Sequence, residues 1–377
     1  GYMKKIISFL TAALICFSSY CVYADDEYEN LTYSALLMEA ETGTVLSHEN
    51  GYERTAQGTL SKLMTVLLTA EEIESGNFDK STVFTASTEA NKQPGSVIWL
   101  MTGESISVEE LLKAVIIGNA NDAAMVLAEN IAEDEHEFVG MMNARAFELG
   151  MRDTVYTNCT GFDENGQYST AYDTALLCRE LLKHKFLTRY FTTWMDRVRN
   201  DQTELVNENK LVRTYDGILG FKAGHSKKSG YTLALAAERN EQRYISVILG
   251  CGDENERFTA GKSLLADGFS MYKVTTPAFS NEFLKPVAVH GGVDSAVEIE
   301  AGTLKGLVVP KGHDELCSVV FIPEFVYAPV QKGQYIGKVG FYNGDTLLYE
   351  TDLIASESVE SMTFSKAVKK CLYILYK

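Results

Sequence analysis

The chain has 377 residues, 46% of them hydrophobic and 23% charged, which is ordinary for a core-forming protein and long enough for two domains. Its formal net charge of −17 excludes the cationic surface on which nucleic acid binding depends, and it disfavours tight adhesion of the main body to anionic lipid. Residues 3–24 stand apart. Lys4 and Lys5 form a basic start, residues 6–17 are mostly apolar, and Val22-Tyr23-Ala24 reads as a small-residue cleavage signal. The expectation is a signal peptide over 1–24 and export across the cytoplasmic membrane to the extracytoplasmic cell envelope. Cys16 and Cys21 would leave with it. Cys159, Cys178, Cys251, Cys317 and Cys371 remain with no two close in sequence, and the histidines form no ligand pair at helical spacing, so neither a disulfide framework nor a metal site is expected, nor any cofactor.

Residues 31–40 alternate loosely, Glu41-Thr42-Gly43-Thr44 reads as a tight turn, and residues 45–47 resume a strand. A helical pattern covers about 59–73. Ser107 reads as the N-cap of a helix over 108–117, with Glu109 and Glu110 in its first turn. Helices over 123–131 and 137–149 follow, the latter stopped by Gly150, and another spans 171–182. The period then changes to strands over 219–224, 231–237 and 244–249, followed by a helix over 258–269. Strand, helices and strands in that order predict an α/β (α+β) domain, 25–283, whose antiparallel sheet draws on both chain ends with a helical block inserted. From residue 284 short alternating runs broken by Gly and Pro predict a small all-β domain, 284–356. In the tail, 357–377, Phe364, Val368, Cys371 and Leu375 recur at helical spacing beside Lys366, Lys369 and Lys370, a pattern suited either to a membrane surface or to packing on its own domain.

The stretch Gln57-Gly58-Thr59-Leu60-Ser61-Lys62 carries the candidate chemistry. A helix starting near Thr59 would set its hydroxyl and the Lys62 amine a turn apart on one face, the geometry for a base to take a nucleophile's proton. The spacing alone is common: it recurs at Ser270 to Lys273 and at Thr363 to Lys366. Thr59 and Asn121 are also good helix-capping residues, and that reading stays open for both.

The order of further segments adds specificity. Gly118-Asn119-Ala120-Asn121-Asp122, Asn207-x-Asn209, Lys222-Ala223-Gly224-His225 and Ala328-Pro329-Val330-x-Lys332-Gly333 follow Thr59-x-x-Lys62 at spacings that resemble the low-molecular-weight penicillin-binding proteins, the D-alanyl-D-alanine carboxypeptidases, over about residues 30–356. The resemblance implies a transpeptidase-type domain in which a nucleophile and two lysines share a cleft for peptidoglycan stem peptides, with β-lactams as further ligands. It places Thr59 at the nucleophile position, Lys62 at the general-base position and Asn121 and Lys222 in the other two motifs. Asn119, Ala223, Gly224 and His225 fall at substrate-binding positions, and the N–H groups of Thr59 and His225 at the oxyanion hole.

This sequence departs from the family pattern Ser-x-x-Lys, Ser-x-Asn, Lys-Thr-Gly at each hydroxyl. Thr replaces Ser at 59, Asn replaces Ser at 119 and Ala replaces Thr at 223. Some relatives also place an arginine where Glu208 stands. A β-methyl crowds attack, an amide cannot relay a proton as a hydroxyl does, and a methyl cannot bind the substrate carboxylate. Two uses are therefore expected of one cleft: carboxypeptidase action, impaired, or stem-peptide binding and scaffolding without turnover.

Overall fold

The strand Ser34–Glu39 is buried along its whole length, and its two faces feed two different cores. Leu36 and Met38 point into one cluster and Ala35 and Leu37 into the other, as the two-residue period of a strand requires. A strand covered on both sides does not need to alternate in polarity, which is why the sequence pattern here is loose. The fold is that of a computed structural model, which describes residues 31–277, 279–312 and 316–375. The signal peptide expected over 1–24 lies outside the described residues.

The turn after this strand is held by Glu39, whose carboxylate accepts from the N–H groups of Glu41 and Thr42 at 3.0 and 2.7 Å. Val45–Glu49 then pairs back on it. On its other side lies Gln242–Cys251, from the far end of the domain, which pairs in turn with Gly230–Arg239; Ile218–Gly220 and Ala223–Ser226 both join Gly230–Arg239. All these pairings are antiparallel, so the sheet is closed by both chain ends, as the order of elements predicted. Helix Glu254–Met271 covers one face, launched by Asp253, whose side chain accepts from the N–H groups of Asn255 and Glu256.

The helical block covers the other face. Its centre is Lys62–Glu74, buried from Lys62 through Ala70 and therefore surrounded on all sides. Val108–Ile116, Asn121–Ile131, Glu135–Glu148 and Ala171–Leu181 pack around it, three of them capped by Ser107, Asp134 and Thr170 as donors' acceptors at the first turn. Two short strand pairs escaped the sequence pattern: Val83–Thr85 with Ser105–Ser107, and Met195–Val198 with Thr203–Val206. Strands of three or four residues are too short to show a period.

The small domain holds a four-stranded sheet of Ile299–Ala301, Thr346–Ala355, Tyr335–Asn343 and Leu316–Phe321, and a three-stranded one containing Val287–His290 and Phe325–Tyr327. Tyr272–Thr275, directly after the long helix, pairs with Leu307–Pro310 of this domain. The terminal helix runs over Phe364–Leu375, and Lys370 Nζ donates to the Val293 carbonyl at 2.5 Å. Among the described residues, no helix is long and apolar enough to cross a membrane. The five described cysteines are free thiols.

Candidate active site

Thr59 lies in the 3-10 turn Gly58–Ser61, and the regular helix begins only at Lys62. The capping alternative falls away for Thr59, because the turn is preceded by Gln57 and no cap bond to a side chain forms. In a 3-10 turn residues three apart eclipse, so Thr59 and Lys62 do share a face. Their polar atoms are nevertheless not joined. Lys62 Nζ donates to the Thr160 carbonyl at 2.5 Å, and Thr59 Oγ1 is buried without a hydrogen-bond partner. Ser61 is no rival nucleophile, since its hydroxyl donates to the Gly58 carbonyl at 2.7 Å.

The space around Thr59 is closed by glycines. A β-carbon on Gly224 would lie 1.9 Å from Thr59 Oγ1, so the threonine oxygen occupies the volume that any side chain there would need. One on Gly161 would lie 2.4 Å from the Gly58 carbonyl oxygen, and Gly161 has φ +84°, a second reason for glycine. The strand Ala223–Ser226 and the loop carrying Thr160 and Gly161 therefore press on the Gly58–Ser61 turn from two sides. They are also tied to each other, because Ser226 Oγ donates to Asp163 at 2.9 Å.

Lys222 is 3% exposed and donates to the carbonyls of Val115 and Ile116 at 2.8 and 3.1 Å. These carbonyls end the helix just before Asn119, so the third motif is pinned to the second. Burial, with the Lys222 charge nearby, pulls the Lys62 amine down to about 7 against an upward pull from Glu208. Burial likewise pulls Lys222 down to about 8, again opposed by Glu208. An amine near 7 is neutral often enough at physiological pH to accept a proton.

Asn121 does not cap its helix either: the residue at that place is Ala120, and Asn121 Nδ2 donates to the Pro94 carbonyl at 2.7 Å. Its neighbour Asp122 accepts from the N–H groups of Ile98 and Leu100, fixing the 94–100 segment beside the motif. Asn119 has φ +56° and donates from Nδ2 to Glu208 Oε1 at 3.3 Å, leaving its Oδ1 buried and unpartnered. Ala223 sits in the core cluster with Leu233, Leu235 and Phe258. His225 is exposed and stacks on Tyr231 with ring centroids 4.3 Å apart.

One participant was missed from the sequence. Arg257 is 3% exposed, and its guanidinium donates to the carbonyls of Gly224 and Thr232 at 2.5 and 3.2 Å, behind the strand that faces Thr59. Its signal was present: an arginine at the position three or four residues before Gly261 falls on the buried stripe of Phe258, Gly261 and Leu265. Of the predicted residues, Thr59, Lys62, Lys222 and Gly224 thus gather at one place, Asn119 is buried and tied to Glu208, Asn121 is buried and tied to Pro94, and the side chains of Ala223 and His225 lie in the core and at the surface.

Comparison with known proteins follows the same division. The D-alanyl-D-alanine carboxypeptidase family matches residues 23–253, and the C-terminal domain of penicillin-binding protein 5 matches residues 272–361. D-alanyl-D-alanine carboxypeptidase DacF of Bacillus subtilis (strain 168) is 32% identical over 383 residues, spanning 98% of this chain and 98% of the relative. Penicillin-binding protein 5 from Haemophilus influenzae, a crystal structure, covers 88% of this chain and 99% of its own with a TM-score of 0.79 at 25% identity. Penicillin-binding protein D2 from Listeria monocytogenes, solved in a cefotaxime-bound form, covers 63% of this chain and 96% of its own with a TM-score of 0.57 at 27% identity. With both domains matched in order and a relative similar along nearly the whole length, the chain belongs to the D-alanyl-D-alanine carboxypeptidase family of low-molecular-weight penicillin-binding proteins.

Proposed function

We propose that this chain binds D-alanine-ending peptidoglycan stem peptides in the cleft at Thr59, and that it removes the terminal D-alanine slowly. Thr59 Oγ1 would attack the penultimate carbonyl carbon while Lys62 Nζ takes the hydroxyl proton and passes it to the departing D-alanine amine. Water then hydrolyses the ester. β-Lactams would acylate the same oxygen. The observation that carries both the assignment and its slowness is that Thr59 Oγ1 lies against Gly224 with no partner, while the Lys62 amine beside it is held by the Thr160 carbonyl. Before reaction the hydroxyl must turn and that bond must break. A crowded hydroxyl at 59 and missing hydroxyls at 119 and 223, at about 2 kcal/mol each, would slow acylation by roughly four orders of magnitude if they acted independently.

Intact-mass measurement with a labelled penicillin tests this. The native protein should form an adduct slowly, the Thr59→Ser, Asn119→Ser, Ala223→Thr triple variant should form it rapidly, and Thr59→Ala should form none. An adduct on the triple variant alone would favour the second reading, a stem-peptide-binding or scaffolding protein without turnover. That reading draws its support from the coordinated change at all three motifs.

The place of action is the extracytoplasmic cell envelope, where stem peptides are. The helix Phe364–Leu375 exposes Phe364, Leu372, Tyr373 and Ile374 beside its lysines and would lie on a membrane surface. Flotation of the whole chain with anionic vesicles, lost when the chain is cut after Met362, is the expected result; flotation unchanged by the cut would remove the helix from this role.

A further inference from the structure

The mouth of the cleft carries an acceptor pair that the three motifs do not use. Glu208 is exposed, and its Oε1 accepts from Asn119 Nδ2 at 3.3 Å. That bond fixes which way the amide points, so Asn119 Oδ1 is the atom left over. It is buried, on a residue only 5% exposed, and has no donor. An acceptor kept dry without a donor costs about 1–3 kcal/mol, and a ligand donor would relieve that cost.

The charges behind this pair are turned inward. Lys62 is bonded to the Thr160 carbonyl, Lys222 to the Val115 and Ile116 carbonyls, and Arg257 to the Gly224 and Thr232 carbonyls. Glu208 acts electrostatically on all three, so it is the carboxylate common to the buried cations of the cleft. A group arriving from solvent therefore meets the Glu208 carboxylate before any of the cations.

We propose that Glu208 and Asn119 Oδ1 form a subsite for an ammonium group of the bound peptide, and that Glu208 at the same time disfavours a free carboxylate there. The proposal rests on the reading that the cleft binds stem peptides, and it names the chemistry that would select among them: a peptide with an unblocked side-chain amine. The Glu208 carboxylate and the oxygen of the amide that donates to it offer two acceptors to the three donors of one ammonium, a charge-assisted arrangement stronger than a neutral one.

Equilibrium binding to the full chain carrying Thr59→Ala, in which acylation cannot intervene, tests the subsite. The probes are two tripeptides ending in D-Ala-D-Ala that begin with lysine, both acetylated on the α-amine, one with a free ε-amine and one with that amine acetylated as well, measured by titration calorimetry. The free amine should bind about tenfold tighter, a preference that falls as salt is raised. Adding Glu208→Gln should bring the two peptides to equal affinity. Equal affinities with Glu208 in place, or a preference that survives Glu208→Gln, would overturn the subsite while leaving the stem-peptide cleft standing. If Glu208→Gln weakened both peptides by the same factor, Glu208 would be only a structural support and the proposal would fall. Absence of binding by either peptide to both proteins would overturn the cleft reading and the subsite together.

Discussion

The two domains bury different kinds of atoms. The first encloses Lys62, Asn119, Asp122, Asp173, Lys222 and Arg257, whereas the described core of the second, built on Val287, Val339, Phe341 and Leu353, is apolar. Taking a charge out of water costs several kcal/mol even after relaxation, so a fold does not collect buried cations by default. Their concentration around Thr59 marks that place as one where desolvation serves chemistry. The small domain buries an apolar core between hydrogen-bonded strands and no charged side chain among the described residues. The difference teaches that removing a buried amine and removing a buried ring should have opposite signatures, one on reactivity and one on stability.

The sharpest test of the contrast is Lys62→Met, which keeps the side-chain volume but removes the amine. Penicillin acylation should fall by roughly a thousandfold or more, while the thermal midpoint stays level or rises, because an amine buried at a cost has been replaced by an apolar group. A large loss of stability with acylation preserved would break the comparison. Gly224→Ala comes next. Its methyl would meet Thr59 Oγ1 at 1.9 Å, and the acylation rate should drop by about a hundredfold, with a destabilisation of about 1–3 kcal/mol read from urea melts. The pH profile of acylation sharpens the picture further. The rate should rise as pH passes through about 7, where Lys62 loses its proton, and fall above about 8, where Lys222 loses its charge. A rate flat between pH 6 and 9 would remove both lysines from the reaction. The smallest effect on chemistry is expected from Phe341→Ala, a 1% exposed ring in the second core. It should cost about 3–5 kcal/mol in that domain and leave the acylation rate within about twofold of native.

Most of the architecture was legible in the sequence because it rests on periodicity and local signals. Ser107 was recognisable as a cap, Gly43 as a turn residue, and the change from helical to strand period near residue 219 marked the return of the chain to the sheet. The short strands at Val83–Thr85 and Met195–Val198 were not recognisable, since a few residues hold too little pattern. At the site, motif order found the two lysines and the threonine. It placed Ala223 and His225 among the ligand-binding residues; the Ala223 side chain packs in the core and the His225 ring is exposed, so their side chains lie off the face that Gly224 presents to Thr59, while the backbone N–H expected of His225 is a separate group.

The sequence by itself determined the two-domain order, the family, and the replacement of all three motif hydroxyl residues, with the hydroxyl itself lost at 119 and 223, because these depend on residue identity and spacing along one chain. Only the tertiary structure decided which polar atoms are satisfied. It sent the Lys62 amine to the Thr160 carbonyl, 98 positions away, drew Arg257 behind Gly224, and left Thr59 Oγ1 and Asn119 Oδ1 without partners. Hydrogen-bond satisfaction and desolvation are properties of atoms brought close in space, and no spacing along the chain specifies them.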